Sequence, residues 1–298
     1  MSVAQTPDSK NQGGLPPELQ KALARVNEIS SLPEITTRIV EVVEDPKSTA
    51  QDMHEIVKND PALATKILKV VNSAFYGLPS QIGSLDRAIV MLGLSAVKNI
   101  ALAASLSRLF RPGSISERFS ARDLWEHCIA VGVTSRLIAD KALGNGQAEE
   151  AFVAGLVHDI GLLVEYQLFP DQLKQVADRC EQNPQDFLQA ENEIIGADHQ
   201  QFGAAIAAKW KFPTTLRYVI AYHHNPMKLK AEFRKIVAIV SISDIICCQN
   251  EIGFFLTSQS SDVTDELMAA AGTNEADIGS VMETLPERIE ETKAIFSE

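Results

Sequence analysis

The chain has 298 residues, 45% of them hydrophobic, and a formal net charge of −12. That apolar share supports a sizeable core in one large domain or two ordinary ones, while the acidic balance and the lack of a Lys/Arg cluster exclude non-specific phosphate-backbone binding, so no nucleic-acid partner is expected. No apolar run approaches the ~20 residues of a membrane span, the first residues lack an apolar leader segment, and the four cysteines at 128, 180, 247 and 248 have no C-x-x-C spacing, so the expectation is a soluble, cytoplasmic protein with free thiols and no membrane partner.

Residues 1–14 are polar and glycine-containing and are expected to be disordered. From Leu15 the pattern reads as helix almost throughout. Ser48 followed by Gln51 suggests a capping box. Asp60-Pro61 places an N-cap before a proline at the first helical position. The run that follows sets Leu63, Ile67 and Val70 on one face at three-to-four spacing. Ser84 opens a short helix carrying Leu85, Ala88, Ile89 and Leu92, and Ser95 is expected to cap a longer one. Lys66, Lys69, Lys98 and Arg108 are spaced as solvated helix faces. Asn72 and Ser73 read as a helix end turning into Gly77, with Phe75 and Tyr76 packing inward.

Arg111-Pro112-Gly113-Ser114 breaks the pattern, which divides an N-terminal helical subdomain over 15–112 from a second one over 113–250. The second reads as helices at 120–142, 148–166, 170–180, 184–195, 198–210, 213–223 and 232–249, with Gly144-Asn145-Gly146 between the first two. A polar loop, TSQSSD, leads to two more helical segments, so 251–298 reads as an acidic helical extension. No stretch alternates with period two, and the fold class is therefore all-α: an N-terminal helical bundle packed on a second helical bundle.

Several polar residues in the second part do not suit their surroundings. The run AGLVHDIGLLV at 154–164 places His158 and Asp159 in the most apolar stretch of the chain. A lone buried histidine is more often a satisfied core residue than a ligand. Five of the six histidines, however, fall in this part, at 127, 158, 199, 223 and 224. Asp123 lies four residues before His127, so the two can share a helix face. Asp244 sits in another apolar run, IVAIVSISDIICC. Imidazole and carboxylate suit iron, manganese and zinc, and these eight groups exceed the four of one tetrahedral site. A carboxylate in an apolar helix costs several kcal/mol unless it is paired or holds a metal. His54, on a solvated helix, has no assigned role. Trp125 and Trp210 read as packing residues, and Cys247 and Cys248, one turn after Asp244, read as buried small hydrophobes.

The order Asp123…His127, His158-Asp159, His199, His223-His224, Asp244 resembles the HD superfamily of metal-dependent phosphohydrolases, especially its HD-GYP branch. By that resemblance all eight residues match metal-cluster positions. Two departures fall on substrate handling: Leu162 stands where that branch has the lysine of HDIGK, and His223-His224 is followed by Asn225-Pro226 instead of a GYP segment. The segments LPEITTRIVEVVEDP, NDPALATKILKVVNSAFYG, IGSLDRAIVMLGLSAVKNIAL and GADHQQFGAAIAAKWKFPTTLRYVIAYHHNP are more specifically similar to the HDOD family, the HD-related output domain, over about residues 20–245.

The resemblance implies a bacterial signal-transduction module that acts through protein partners and retains a divalent metal site, binuclear at most, with iron the first expectation and manganese or zinc the others. The alternative it implies is a metal-dependent phosphohydrolase acting on a nucleotide or cyclic dinucleotide. In that reading Asp159 bridges two metals, with His127, His158 and Asp244 on one and His199, His223 and His224 on the other. Asp123 is then a ligand or orients His127, and Arg136 and Lys141 are candidates for holding phosphate.

Overall fold

The computed structural model describes residues 17–29, 32–73, 76–109, 113–143, 147–182 and 186–296. The expected disorder at 1–14, the core position of Phe75, Arg111-Pro112 of the break and the Gly144-Asn145-Gly146 separator lie outside these residues. Among the described residues the chain is all-α, and its only bridge outside helices pairs Ser114 with Ser120.

The first bundle comprises α1 (Pro17–Ala24), α2 (Glu34–Glu44), α3 (Ala50–Val57), α4 (Pro61–Val71), α5 (Leu85–Leu92) and α6 (Leu94–Leu106). Its helix starts follow local chemistry. Asp60 caps α4 through Leu63 N–H at 2.9 Å, and Ser84 caps α5 through Arg87 N–H at 3.3 Å. The expected box at Ser48 and Gln51 is displaced by one residue: Thr49 and Asp52 form it, freeing Ser48 to bond the Val42 carbonyl at 2.7 Å. Nor does Ser95 cap α6. Gly93, at φ +87°, turns the chain directly from α5 into Leu94. Leu63, Ile67 and Val70 are buried on the inner face of α4, as their spacing predicts.

The second bundle comprises α7 (Ala121–Leu143), α8 (Ala148–Val157), α9 (Ile160–Leu168), α10 (Pro170–Gln182), α11 (Phe187–Ile194), α12 (His199–Lys209), α13 (Thr214–Tyr222) and α14 (Ala231–Gln249). The stretch expected as one helix over 148–166 is two. It breaks at His158-Asp159, where Asp159 has φ −96° and ψ 22°, outside the helical basin. By length and composition Ala148–Leu168 could cross a membrane, contrary to the reading of the sequence, but 89% of its apolar window is buried inside the bundle. It is the central core element.

Beyond α14, the extension runs through a loop to α15 (Asp265–Ala271) and α16 (Glu275–Phe296). It is no appendage. α16 packs on both α7 and α4, with the Phe296 ring against Trp125 and Phe152 and the Phe296 carbonyl accepting from Lys66 Nζ at 3.3 Å. At the other end of the molecule α1 packs on α12, and Lys209 Nζ donates to the carbonyls of Val26, Asn27 and Ile29. The bundles thus clasp each other from both termini, and one continuous apolar core runs through them.

Candidate metal centre

Seven of the eight singled-out side chains converge. His127 comes from the second turn of α7, His158 and Asp159 from the α8–α9 break, His199 from the first turn of α12, His223 and His224 from the end of α13, and Asp244 from α14. Local structure aims each one. Asp198 caps α12 in a reciprocal box with Gln201, which fixes the turn bearing His199. At the α8–α9 break, Gly155 loses the helical partner that Asp159 N–H would supply, and His158 Nδ1 takes that carbonyl at 2.7 Å. At the end of α13, His223 Nδ1 lies 3.0 Å from the Val219 carbonyl, which also accepts from the His223 N–H at 3.0 Å.

A side chain at position 161 would prevent this assembly. A Cβ there would stand 1.8 Å from the His199 carbonyl oxygen, so α9 and α12 can cross only at glycine. The glycine following the His158-Asp159 pair is therefore a packing requirement that brings His199 to Asp159.

The second ring nitrogens settle the tautomers. His127 Nδ1 lies 3.1 Å from the Ile252 carbonyl, and His199 Nδ1 lies 2.8 and 2.9 Å from the two oxygens of Glu191. Ser258 Oγ donates its proton to Asp244 Oδ2 at 2.5 Å, so it accepts from His224 Nδ1 at 3.2 Å. In all five rings Nδ1 carries the proton to an anchored acceptor, and Nε2 turns inward.

The inward atoms are too close for acceptors without a cation. His199 Nε2 is 2.9 Å from His224 Nε2 and 3.3 Å from His223 Nε2. Asp159 Oδ1 faces His223 and His199 at 3.3 and 3.4 Å, and its Oδ2 faces His158 and His127 at 3.2 and 3.9 Å. Asp244 Oδ1 lies 3.1 Å from His127 Nε2 and 3.7 Å from His158 Nε2. His158 Nε2 and both oxygens of Asp159 have no hydrogen-bond partner within the protein and are fully buried. Asp159, His199, His223 and His224 form one group, and His127, His158 and Asp244 a second, each with its donor atoms within 4.8 Å of one another. This donor set fits divalent metal ions, which would satisfy at once lone pairs that cannot satisfy each other.

Electrostatics agree. Burial opposes charge on His158, yet the Asp159 carboxylate beside it pushes its pKa up to about 10. Burial likewise opposes ionisation of Asp159 and Asp244, but the neighbouring histidines hold both carboxyls well below the usual range. Burial drives His224 well below its ordinary value and lowers His223, so both keep free lone pairs. The pocket therefore calls for positive charge and, without metal, draws it from a proton on His158.

Asp123 is not part of the cluster, contrary to expectation. Its carboxylate accepts from Ser120 N–H at 2.7 Å and Ser120 Oγ at 2.6 Å, closing the first turn of α7. The helical spacing to His127 is real, but His127 Nδ1 goes to Ile252 instead. Arg136 is likewise committed away from the centre, to Glu149 at 2.9 Å. Leu162 is buried.

The reading of the sequence missed four contributors. Glu191 anchors His199, and behind it stands Glu165; burial raises the pKa of both carboxyls well above the usual range. Ile252 and Ser258 come from the extension. Glu165 and Glu191 carry the signal that marked Asp244, a carboxylate in a buried helix. Ile252 contributes only a backbone carbonyl, which no side-chain pattern reveals.

The HDOD domain profile matches residues 29–226. Asp244 and Ser258 lie beyond it. A protein of Treponema pallidum without a described function is 25% identical over 223 residues, covering 74% of this chain, which spans only 42% of that relative's length. Among solved structures, an HDOD domain protein from Geobacter sulfurreducens superposes with a TM-score of 0.77 at 21% identity, covering 93% of this chain and 99% of that one. A protein described as a signal-transduction candidate from Marinobacter aquaeolei gives 0.76 at 22% identity, covering 94% and 65%. One described as a phosphohydrolase candidate from Shewanella amazonensis gives 0.72 at 24%, covering 92% and 97%. At these identities the likeness is one of fold.

Proposed function

The chain belongs to the HDOD family, and from that premise we propose that it is a signal-transduction module whose second bundle holds divalent metal and whose surface engages protein partners. The observation that carries the metal is the convergence of five Nδ1-anchored histidines and two carboxylates, with His158 Nε2 and both oxygens of Asp159 left without a hydrogen-bond partner. The residues proposed to hold it are His127, His158 and Asp244 in one position and His199, His223 and His224 in another, with Asp159 shared, because its two oxygens face the two histidine sets. When bound, the ions cross-link these elements and supply Lewis acidity. Iron is the first choice for this imidazole and carboxylate set, with manganese and zinc behind it.

Regulation is favoured over hydrolysis by the surroundings of the site. Six of the seven donors are at most 1% exposed, and the cation-bearing position of the phosphohydrolase motif is Leu162. One observation speaks for the alternative phosphohydrolase: a cavity of about 360 Å³ reaches His224, with Lys228 on its lining.

Elemental analysis of the full chain, purified without chelator or added metal, tests the proposal. One to two equivalents of iron, manganese or zinc, lost in His158→Ala, is the expected result. Metal-free, fully folded protein overturns it. Turnover of phosphate esters or cyclic dinucleotides by the metal-loaded chain, abolished in Asp159→Asn, moves the assignment to the hydrolase.

A further inference from the structure

The donors of the centre differ sharply in access. His127, His158, Asp159, His199 and His223 are fully buried, and Asp244 is 1% exposed. His224 has a side chain 8% exposed, and it alone among them lines the cavity of about 360 Å³ described above. One wall of that cavity is the turn after α13 and the face of α14 bearing Ser241 and Ile245. The other is the extension, from Ser258 to Leu267. The cavity opens to solvent, and the extension forms one of its sides.

Two residues mark this as a passage. Ser241 is 4% exposed and lines the cavity. Ser258 stands at the inner end, where its hydroxyl links Asp244 to His224 and so ties the extension to the centre itself. Outward from it the mouth is lined by Ser261, Thr264, the carboxylate of Asp262 and the ammonium of Lys228.

We infer that this cavity is the exchange portal of the centre, through which divalent cations pass by His224, and that the extension gates it through Ser258. The inference rests on the metal-binding reading above and adds to it a route and a control point. Displacement of residues 258–264 widens the portal without moving the helices that carry the donors.

Two measurements on the full chain test this. In chelator-treated protein, diethyl pyrocarbonate acylation mapped by peptide mass is expected to reach His224 while His127, His158, His199 and His223 stay protected. Ser241→Phe, which fills the cavity, slows acylation of His224. Ser261→Trp, on the loop wall, does the same if Ser241→Phe fails to fold. In zinc-loaded protein the rate of zinc extraction by a chelator is expected to fall several-fold in the filled variants and to rise in Ser258→Ala. Acylation of another centre histidine as fast as His224, or rates of acylation and extraction unmoved by filling, overturns the portal. Failure of the wild type to retain zinc counts against the metal reading alone, because the acylation pattern still decides whether the cavity is the way in.

Discussion

The molecule buries two polar clusters, and they are built on opposite terms. At the junction of the bundles, Tyr76 O–H donates to Glu149 Oε2 at 2.5 Å, Arg136 Nε donates to Glu149 Oε1 at 2.9 Å, and the guanidinium lies over the Tyr76 ring, 4.8 Å from its centre. Donors meet acceptors there, and one cation meets one anion. In the histidine centre, acceptors meet acceptors. The junction is complete within the protein, whereas the centre is completed only by positive charge from outside. Burial of polar groups marks neither as functional by itself; the mismatch between what they offer and what they face does.

The sharpest way to break the comparison is to destroy the centre's scaffold. Gly161→Ala drives a methyl against the His199 backbone, and α9 cannot separate from α12 without opening the core. We expect a loss of about 3 kcal/mol or more, read by denaturant unfolding, together with loss of bound metal. An unchanged midpoint with full metal content would show that the helices repack.

Exchange between the clusters comes next. With free metal at about 100 times Kd, wild type gains about 2.7 kcal/mol. His158→Ala is expected to abolish that increment. Glu149→Gln, at the junction, should cost about 2 kcal/mol yet leave the increment intact. Differential scanning calorimetry with and without metal separates the two, and an increment lost in Glu149→Gln would mean that the junction and the centre are one unit.

A pH series sharpens the contrast without mutation. The His158 pKa is raised in the metal-free fold to about 10 from an ordinary 6.5. The stability this proton confers is therefore complete below about pH 6.5 and is lost as pH rises toward 10. The lowered pKa values of Asp159 and Asp244 act in the other direction, conferring stability above the usual carboxylate range and losing it on acidification. Metal takes the place of the proton on His158. The difference in Tm between metal-loaded and metal-free protein should accordingly widen from pH 6.5 to pH 9 at constant free metal. A constant difference would mean that His158 carries no proton in the metal-free state.

Much of this was legible in residue order, and the failures have a common cause. Helix faces, the caps at Asp60 and Ser84, and the convergence of five polar positions on the His158-Asp159 pair follow from periodicity and from the cost of burying charge. Asp123 misled because helical spacing reports a shared face, not the partner found there; Ser120, three residues back, satisfied it first. Lys98, spaced as a solvated residue, is only 9% exposed and bonds Ser48 and Asp45 from α6. The extension gave least away. Its acidic surface reads as an appendage, while its contribution lies in the backbone of Ile252, the hydroxyl of Ser258 and a close approach at Gly253. There φ is +66°, and a Cβ would lie 2.4 Å from the Asp123 carbonyl. The contacts of Ile252 and Gly253 span more than a hundred residues, and such contacts leave no local pattern.

The smallest effect tests the junction alone. Tyr76→Phe keeps the ring over Arg136 and removes only the O–H that Glu149 Oε2 accepts. Glu149 retains Arg136, and its side chain, 10% exposed, can take water in place of the phenol. The expected cost is about 1 kcal/mol, with metal content and the metal-dependent increment unchanged. Nothing in the centre is expected to depend on this bond. A drop in metal content in this variant would overturn that independence: the junction would then be the path by which the first bundle senses what the second one holds.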